Sequence, residues 1–181
     1  METTTDTPVR RVWLSAAGVC REHLCRLSPE SRYMRFCNPA DYGFIASYCD
    51  SLRGDEVVVF GIALDGRWRA VAELHIVTGE AGRVAELALS VEDPWQGHGI
   101  GEKLVARALL AAQNRRVTAL YMHIHHDNRR MLALARRIGA RLGPGPSGIE
   151  ARIAPGAPDV FSLTREWYAD SAGIFAAGLN A

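Results

Sequence analysis

The sequence contains almost no lysine and no long apolar run. Of its 21 basic residues 20 are arginine, Lys103 is the only lysine, and 20 acidic residues leave a formal net charge of +1. No dense basic block stands out, so the composition argues against a nucleic-acid partner. No apolar stretch approaches the roughly 18 residues that a transmembrane helix requires, and the first residues lack the apolar segment of a signal peptide. We therefore expect a cytoplasmic protein that does not contact a membrane.

The cysteines also lack a metal-binding or redox spacing. Cys20, Cys25, Cys37 and Cys49 all lie in the first third of the chain, and none belongs to a C-x-x-C pair. We expect reduced, mostly buried thiols. A length of 181 residues and a hydrophobic content of 48% are typical of one globular domain with a substantial core.

Hydrophobic periodicity predicts an α+β fold. A short strand at 9–14 is followed by helical spacing near 20–27, 28–37 and 41–52. Three strands come next, at 56–64, 68–77 and 84–91, and the tight turns between them imply an antiparallel meander. The pattern then predicts a helix from Ile100, a strand at 119–124 and a helix at 128–138. We predict a loop at 143–146 and a closing hairpin made of 149–153 and 160–163.

These elements predict one domain over residues 1–181, with a core at about 8–164, a tail helix over 165–181 and no linker. The tail is apolar from Trp167 through Ile174 and Phe175. We expect it to pack on this domain or on a second copy, as a homodimer.

One glycine-rich segment lies between a predicted strand and a predicted helix: Gln96-Gly97-His98-Gly99-Ile100-Gly101. Glycines at alternate positions let backbone N–H groups converge at a helix N-terminus, where the helix dipole also favours an anion. The pattern therefore favours a diphosphate site. A dinucleotide-binding turn needs G-x-G-x-x-G, but Glu102 stands at its last position, and no G-K-[ST] of a P-loop follows. A turn that only connects the strand to the helix is the alternative.

This segment resembles the Q/R-x-x-G-x-G/A signature of the GNAT superfamily of acetyl-CoA-dependent N-acetyltransferases, and the order of predicted elements is similar over about residues 8–164. The resemblance implies a mixed, mostly antiparallel sheet of six to seven strands with flanking helices, whose fourth and fifth strands splay apart around CoA. Three further segments, at 27–36, 85–88 and 128–135, look most like the GNAT domains of bacterial protein-lysine acetyltransferases.

The resemblance also implies which residues bind acetyl-CoA. The backbone of the fourth strand, at Leu89, Ser90 and Val91, is expected to hold the pantetheine arm. Backbone N–H groups are expected to bind the pyrophosphate along the whole signature, at Gln96, Gly97, His98, Gly99, Ile100 and Gly101. Asn128 matches a position that often touches the pantetheine arm, with a plain helix cap as the alternative.

Transfer to an amine requires a base, because a lysine side chain has a pKa near ~10.4 and is protonated at neutral pH. Glu86 is the candidate general base, since it lies ten positions before Gln96, where the similar lysine acetyltransferases carry a glutamate. The alternative is a solvent-facing strand residue. Glu73 on the preceding strand is the second candidate, as a base or as a contact for the substrate ammonium.

The sequence departs from the resemblance at the general acid. Many members of the superfamily use a tyrosine in the helix that begins here at Asn128, but residues 129–138 contain none. Tyr121 and Tyr168 are the candidate replacements, with core packing as the alternative for both. We therefore assign no general acid.

Two groups of polar residues near this helix have open interpretations. Histidines at 123, 125 and 126 crowd the end of the fifth strand, but with only Asp127 beside them we predict no metal site. We hypothesise that Arg129 or Arg130, or Lys103 with Arg107, approaches a phosphate of CoA. A solvated surface is the alternative for each of these residues.

Together these observations predict an N-acetyltransferase that moves an acetyl group directly from acetyl-CoA to a primary amine, with a protein lysine among the candidate acceptors. One alternative is a small-molecule amine as acceptor. The other is a catalytically weak acyl-CoA-binding module that regulates a partner, which the missing tyrosine favours. Turnover of an amine would separate an enzyme from such a module.

Overall fold

The computed structural model describes residues 7–13, 16–52, 56–80, 82–146 and 148–178, with side chains as far as residue 171. These residues form seven strands, six α-helices and one short 3-10 helix at Asp93–Trp95. The strands are β1 (Arg10–Val12), β2 (Val57–Leu64), β3 (Arg67–Gly79), β4 (Gly82–Val91), β5 (Val117–Ile124), β6 (Arg141–Gly145) and β7 (Gly148–Ile153). The helices are α1 (Ala16–Arg26), α2 (Pro29–Phe36), α3 (Tyr42–Ser51), α4 (Ile100–Asn114), α5 (Arg129–Arg137) and α6 (Val160–Gly178).

The strands form one mixed sheet in the order β1-β2-β3-β4-β5-β7-β6. Only β4 and β5 pair in parallel among the described strands, so the predicted mostly antiparallel α+β fold is confirmed. The turn between β2 and β3 follows from its sequence: Asp65 and Gly66 both have positive φ, at 51° and 69°. That geometry suits the twist of a two-residue hairpin, and Asp-Gly adopts it readily.

The pairing of β4 with β5 ends early. It begins at Arg83 and Val117 and stops at Glu86 and Tyr121, whereas β4 continues to Val91 along β3. The predicted splay between the fourth and fifth strands is therefore confirmed, and it leaves one edge of β4 without a strand partner.

Hydrophobic side chains pack on both faces of the sheet. The larger core lies between the sheet and helices α4 and α5, and it encloses the fully buried side chains of Phe60, Leu104 and Leu120. The smaller core lies under α1 and α3, around Leu24 and Ile45. All four cysteines are free, and Cys20 and Cys49 are buried in this second core. The sheet thus holds helices on both sides while its splayed edge stays open.

The predicted closing hairpin is wrong. Residues 143–146 were expected to form a loop, but Arg141–Gly145 is a strand that pairs with Gly148–Ile153. Pro144 is tolerated there because β6 is the outermost strand, whose free edge needs no backbone N–H. The other predicted hairpin strand, 160–163, is helical.

The tail helix begins at Val160 and not at 165. A helix cap at Asp159 outweighs the strand preference of the β-branched Val160. Asp159 Oδ1 accepts the backbone N–H of Ser162 at 2.6 Å, and Ser162 Oγ accepts the N–H of Asp159 at 3.0 Å. This reciprocal pair stabilises a helix N-terminus. The end of the predicted tail, residues 179–181, and Leu14 of the predicted first strand lie outside the described residues. No helix that the structure describes is both long enough and apolar enough to cross a membrane.

Candidate active site

A cleft of about 1200 Å³ opens where β4 and β5 separate. It is lined by the end of β4, the end of β5, the first turn of α4 and the length of α5, and also by residues of α2 and α3. The sequence-predicted residues that line it are Glu86, Leu89, Ser90, Val91, Gln96, Gly97, Gly99, Ile100, Gly101 and Asn128. His98 is exposed and is not part of this lining, so a contact through its backbone N–H stays a prediction.

Two glycines of the loop are required by backbone conformation. Gly97 and Gly99 have φ values of 82° and 77°, a region that L-residues with a side chain rarely adopt. A Cβ atom at either position would meet no other atom within 4 Å. The loop therefore presents bare backbone to the cleft, as close approach of a ligand requires.

Gly101 is required for a different reason. A Cβ atom there would lie 3.3 Å from Leu134 Cδ2 of α5 and 3.8 Å from Leu89 Cδ1 of β4. The absence of a side chain lets the first turn of α4 sit tightly between α5 and the end of β4. This contact positions the N-terminus of α4 at the gap in the sheet.

The N-terminus of α4 has the features of an anion site. Gly99 occupies the cap position without a side-chain hydrogen bond to the first turn, so the leading N–H groups have no such partner. The helix dipole adds partial positive charge at this end. Arg129, Arg130 and Arg137 of α5 also line the cleft, where Arg130 donates to Gln96 and Arg137 pairs with Glu102 in the first turn of α4. The residues present therefore fit a diphosphate.

Two of the hypothesised phosphate contacts point elsewhere. Arg107 is buried and pairs with Asp170 and Glu166 of α6. Lys103 Nζ donates to the Thr7 carbonyl at 3.3 Å. Neither residue lines the cleft, so the hypothesis that they approach a phosphate is contradicted by their placement.

Gln96 ties the loop to its surroundings. Its side-chain Nε2 donates to the Val91 carbonyl at 2.9 Å and to Ser31 Oγ at 3.2 Å, and its Oε1 accepts a hydrogen bond from Arg130. Asp93 reinforces the contact, because it accepts hydrogen bonds from the hydroxyls of Ser31 and Ser28. The sequence signature includes Gln96, but the bridge to α2 was missed because nothing local to Asp93 indicates it.

Asn128 caps α5, since its Oδ1 accepts the N–H of Met131 at 3.1 Å. It also lines the cleft, so the two interpretations of this residue are compatible. On β4, the side chain of Ser90 turns away from α4 and meets His23 Nε2 at 2.9 Å. Only the backbone of Ser90 can therefore serve a ligand in the gap.

Glu86 is exposed and lines the cleft, directly opposite His75 in the register of β3 and β4. Its carboxylate makes no hydrogen bond or ion pair with another described residue. A carboxylate without a described hydrogen-bond partner, at the point where the gap between β4 and β5 begins, can accept a proton from a substrate, as a base must.

Glu73 is on the same face of the sheet, but the charge of its carboxylate is already paired with a cation. Its side chain is 1% exposed, Arg35 donates to Oε2 at 2.8 Å, and the Tyr48 hydroxyl donates to the same oxygen. Burial alone raises the pKa of Glu73, but Arg35, His75 and Tyr48 outweigh it and hold the pKa below its ordinary value. Glu73 is therefore a poor candidate for the base.

Neither tyrosine proposed as a general acid is well placed. Tyr168 lies on α6 and is 71% exposed, and Tyr121 packs against Arg152. Neither lines the cleft, whereas Tyr48 and His123 do. The Nδ1 atom of His123 is buried and has no hydrogen-bond partner among the described residues. Tyr48 donates to Glu73, and burial raises the pKa of its hydroxyl.

The histidines after β5 form a turn. Ligand atoms of His125, His126 and Asp127 lie within 4.8 Å of one another. However, His125 Nδ1 already accepts the backbone N–H of Asp127 at 3.2 Å, and the His125 ring packs edge-on against Tyr33. These contacts account for the arrangement as local structure, and the absence of a metal site stays a prediction.

A second buried carboxylate holds α1 to the end of β4. Glu92 accepts hydrogen bonds from Arg26 at 2.7 Å and from Arg69 at 2.8 Å, and His23 lies 3.7 Å away. Burial alone raises the pKa of Glu92, but these three cationic or donor groups outweigh it and lower the pKa from 4.5 to about 2.

We expect this network to make the free energy of unfolding depend on pH in the acid range. A carboxylate with a depressed pKa stabilises the fold above its unfolded pKa of about 4.5 and loses that contribution as the pH falls through its folded pKa of about 2. In urea unfolding at pH 7, the free energy of unfolding of the wild type should exceed that of Glu92→Gln by up to about 3 kcal/mol. This difference should shrink as the pH falls below about 5. Glu102→Gln, in an exposed pair with Arg137, is the control and should show little change with pH. A constant difference for Glu92→Gln would contradict the assignment.

Comparison with known proteins identifies the fold. The model of the acetyltransferase (GNAT) family matches residues 22–140. Among solved structures, the GNAT domain of S. lividans PAT has a TM-score of 0.70 at 20% identity, covering 81% of this chain and 89% of that one. The ribosomal-protein-S18-alanine N-acetyltransferase from Escherichia coli has a TM-score of 0.64 at 16% identity, covering 85% and 97%. PaiA N-acetyltransferase from Thermoplasma acidophilum, in complex with coenzyme A, has a TM-score of 0.61 at 14% identity, covering 82% of this chain and 99% of that one. No curated protein matches the sequence.

The family match covers more than half of the chain, and the splayed sheet and glycine loop agree with it. The chain therefore belongs to the GNAT acetyltransferase family. Its class is that of acyltransferases that use acetyl-CoA.

Proposed function

We propose that this protein transfers the acetyl group of acetyl-CoA directly to a primary amine, with a protein lysine as the favoured acceptor. One observation supports acetyl-CoA as the donor. The glycine-lined N-terminus of α4, which has no side-chain cap, opens into the gap between β4 and β5. Glu86 lies in the same cleft. A donor site and a base within one cleft support direct transfer, because both reactants are then held side by side.

Acetyl-CoA would bind along the end of β4 and the start of α4. The backbone of 89–91 would hold the pantetheine arm, and the N–H groups of 96–101 would bind the diphosphate. Asn128 and the arginines of α5 line the same cleft, and Arg130 donates to Gln96 of the loop. Positive charge at that position suits the phosphates.

In the reaction, the amine nitrogen attacks the thioester carbonyl carbon, the new N–C bond forms and the C–S bond breaks. Glu86 takes a proton from the substrate ammonium, directly or through water. The nitrogen loses its second proton to solvent as the C–S bond breaks, and the leaving thiolate takes a proton from solvent, because α5 contains no tyrosine and no general acid is assigned. Backbone N–H groups at the end of β4 would polarise the carbonyl in the transition state.

The charge of the cleft supports a cationic acceptor. Glu30 and Glu86 line the cleft, and their carboxylates would attract an ammonium group. The structural similarity to an enzyme named for the alanine of ribosomal protein S18 adds support for a protein acceptor. A small-molecule amine and a weak acyl-CoA-binding module are the alternatives, and turnover assays with peptides and small amines distinguish all three.

Thermal melting with acetyl-CoA tests the donor site. Ligand at 100 times its dissociation constant should add about 2.7 kcal/mol and raise the melting temperature by roughly 5–10 °C, whereas NADH should have no effect. Gly99→Ala should lose most of this shift, because a side chain would then enter the loop at a strained φ.

Gly66→Ala is the matched control for backbone strain. Gly66 has a similar φ of 69° and equally open surroundings, but it lies in the β2–β3 turn. Both variants should lose some stability, and only Gly99→Ala should lose the response to acetyl-CoA. The absence of any shift in the wild-type protein would refute the proposed donor site.

A further inference from the structure

Helix α6 has its polar side against the domain. Residues 162, 166 and 170 follow one another at the four-residue spacing of a single helix face. Ser162 Oγ donates to Asn114 Oδ1 at 2.6 Å, Glu166 accepts from Arg115 at 2.7 Å, and Asp170 pairs with Arg107. The contacts that attach α6 to α4 are therefore largely hydrogen bonds and ion pairs.

The opposite side of α6 is apolar and exposed. We name it the outer face of α6 and define it by Val160, Phe161, Thr164, Trp167 and Tyr168, at helical spacings of one, three and four. The four apolar members are exposed by 77%, 82%, 70% and 71% in that order, and Leu163 at its margin by 53%. A surface helix normally turns its apolar side to the core, so α6 has the reverse orientation.

Two hydroxyl groups on or beside the outer face donate to carbonyls of the helix itself. Thr164 Oγ1 donates to the Val160 carbonyl at 2.7 Å, and Ser171 Oγ donates to the Trp167 carbonyl at 2.8 Å. These two hydroxyls would therefore keep the hydrogen bonds that they donate when a partner covers them. The outer face also contains no charged residue.

We propose that the outer face of α6 is the interface of a homodimer, in which the helix packs against the same helix of a second copy across a two-fold axis. A two-fold interface needs a surface that complements itself, and an uncharged apolar stripe meets that condition because no like charges oppose each other. The interface would leave the cleft open, since none of the α6 residues with described side chains, 160–171, lines it.

The exposed area supports a second copy as the occupant. With roughly 150–250 Å² for each aromatic side chain, the outer face and Leu163 expose about 600–700 Å². That exceeds the usual largest apolar patch of a monomer, and it approaches the roughly 800 Å² that each partner contributes to a standard interface. A lipid surface fits less well, because Arg165 is the only basic residue of α6 and membrane-binding helices carry several.

Analytical ultracentrifugation of the full chain over about 1–200 μM tests the interface. Wild type should sediment as a dimer at the upper concentrations, and Trp167→Glu should raise the dimer dissociation constant by more than about 30-fold, because it removes a central aromatic anchor. Tyr168→Glu should act in the same direction. Val77→Glu is the matched control, since Val77 is 57% exposed on β3, away from α6. Circular dichroism and the acetyl-CoA melting shift show whether each variant is folded.

Burial of Trp167 also gives an optical signal. Dilution of the wild-type protein should shift tryptophan emission to longer wavelength, and Trp167→Phe should abolish that shift while the dimer persists. A wild-type monomer at every concentration would overturn the proposal, as would a dimer that Val77→Glu weakens as much as Trp167→Glu does. A monomer that co-sediments with vesicles of phosphatidylcholine and phosphatidylglycerol would assign the face to a membrane and would also overturn it.

Discussion

Glu86→Gln is expected to lower kcat by about 100- to 10,000-fold while the binding of acetyl-CoA is unchanged. General base catalysis contributes on that scale, and the amide cannot accept the proton that the substrate ammonium must lose. Glutamine has the shape of glutamate, and the side chain of Glu86 lies at the surface of the cleft without a described partner, so the fold should tolerate the change. Steady-state kinetics with the best acceptor, together with calorimetric titration of acetyl-CoA, measures both quantities.

Glu80→Gln is the control for this prediction. Glu80 is an exposed glutamate in the turn after β3, outside the residues that line the cleft, and its replacement should leave kcat within a factor of two or so. A Glu86→Gln enzyme with near wild-type kcat would exclude Glu86 as the base. Loss of acetyl-CoA binding in the same variant would instead assign the residue to the donor site.

The second large effect concerns stability. Arg35→Met should reduce the free energy of unfolding by about 3–5 kcal/mol, because it leaves the buried carboxylate of Glu73 without its cationic partner. The side chains of this pair are 8% and 1% exposed, so solvent cannot compensate for the loss. Urea unfolding followed by circular dichroism gives the value.

A double variant separates the charge from the packing. Arg35→Met with Glu73→Leu removes both charges and should recover at least half of the lost stability, since apolar residues of similar volume often replace a buried pair without cost. Arg21→Met, in an exposed pair with Asp50 at 2.7 Å, should cost less than about 1 kcal/mol. If Arg35→Met were as mild as Arg21→Met, the buried pair would not stabilise the fold as described.

The elements that sequence could predict are those governed by local chemistry. Asp65 and Gly66 accept the positive φ of a tight hairpin, and Ser28 caps α2, with its Oγ accepting the N–H of Ser31 at 3.1 Å. The glycine loop could also be predicted, because Gly97 and Gly99 adopt backbone conformations that residues with side chains disfavour. In each case a few adjacent residues determine the geometry.

The features that sequence could not predict depend on distant parts of the chain. Arg35, Tyr48 and Glu73 come from α2, α3 and β3, and nothing in the local sequence of any of them indicates the other two. A phosphate contact was hypothesised for Arg107, with a solvated surface as the alternative, because the sequence does not show that the residue faces Asp170 of α6. The closing hairpin was misplaced because the edge position of β6, which tolerates Pro144, is a property of the assembled sheet.

The single lysine has a consequence if the protein acetylates lysine side chains as proposed. An enzyme that acetylates lysine side chains also encounters those on its own surface, yet here Lys103 is the only one that the sequence offers. Its Nζ is held on the Thr7 carbonyl and lies outside the lining of the cleft. Self-acetylation of a lysine side chain would therefore be confined to Lys103, and mass spectrometry of the peptide that contains it, after incubation with acetyl-CoA, can follow it.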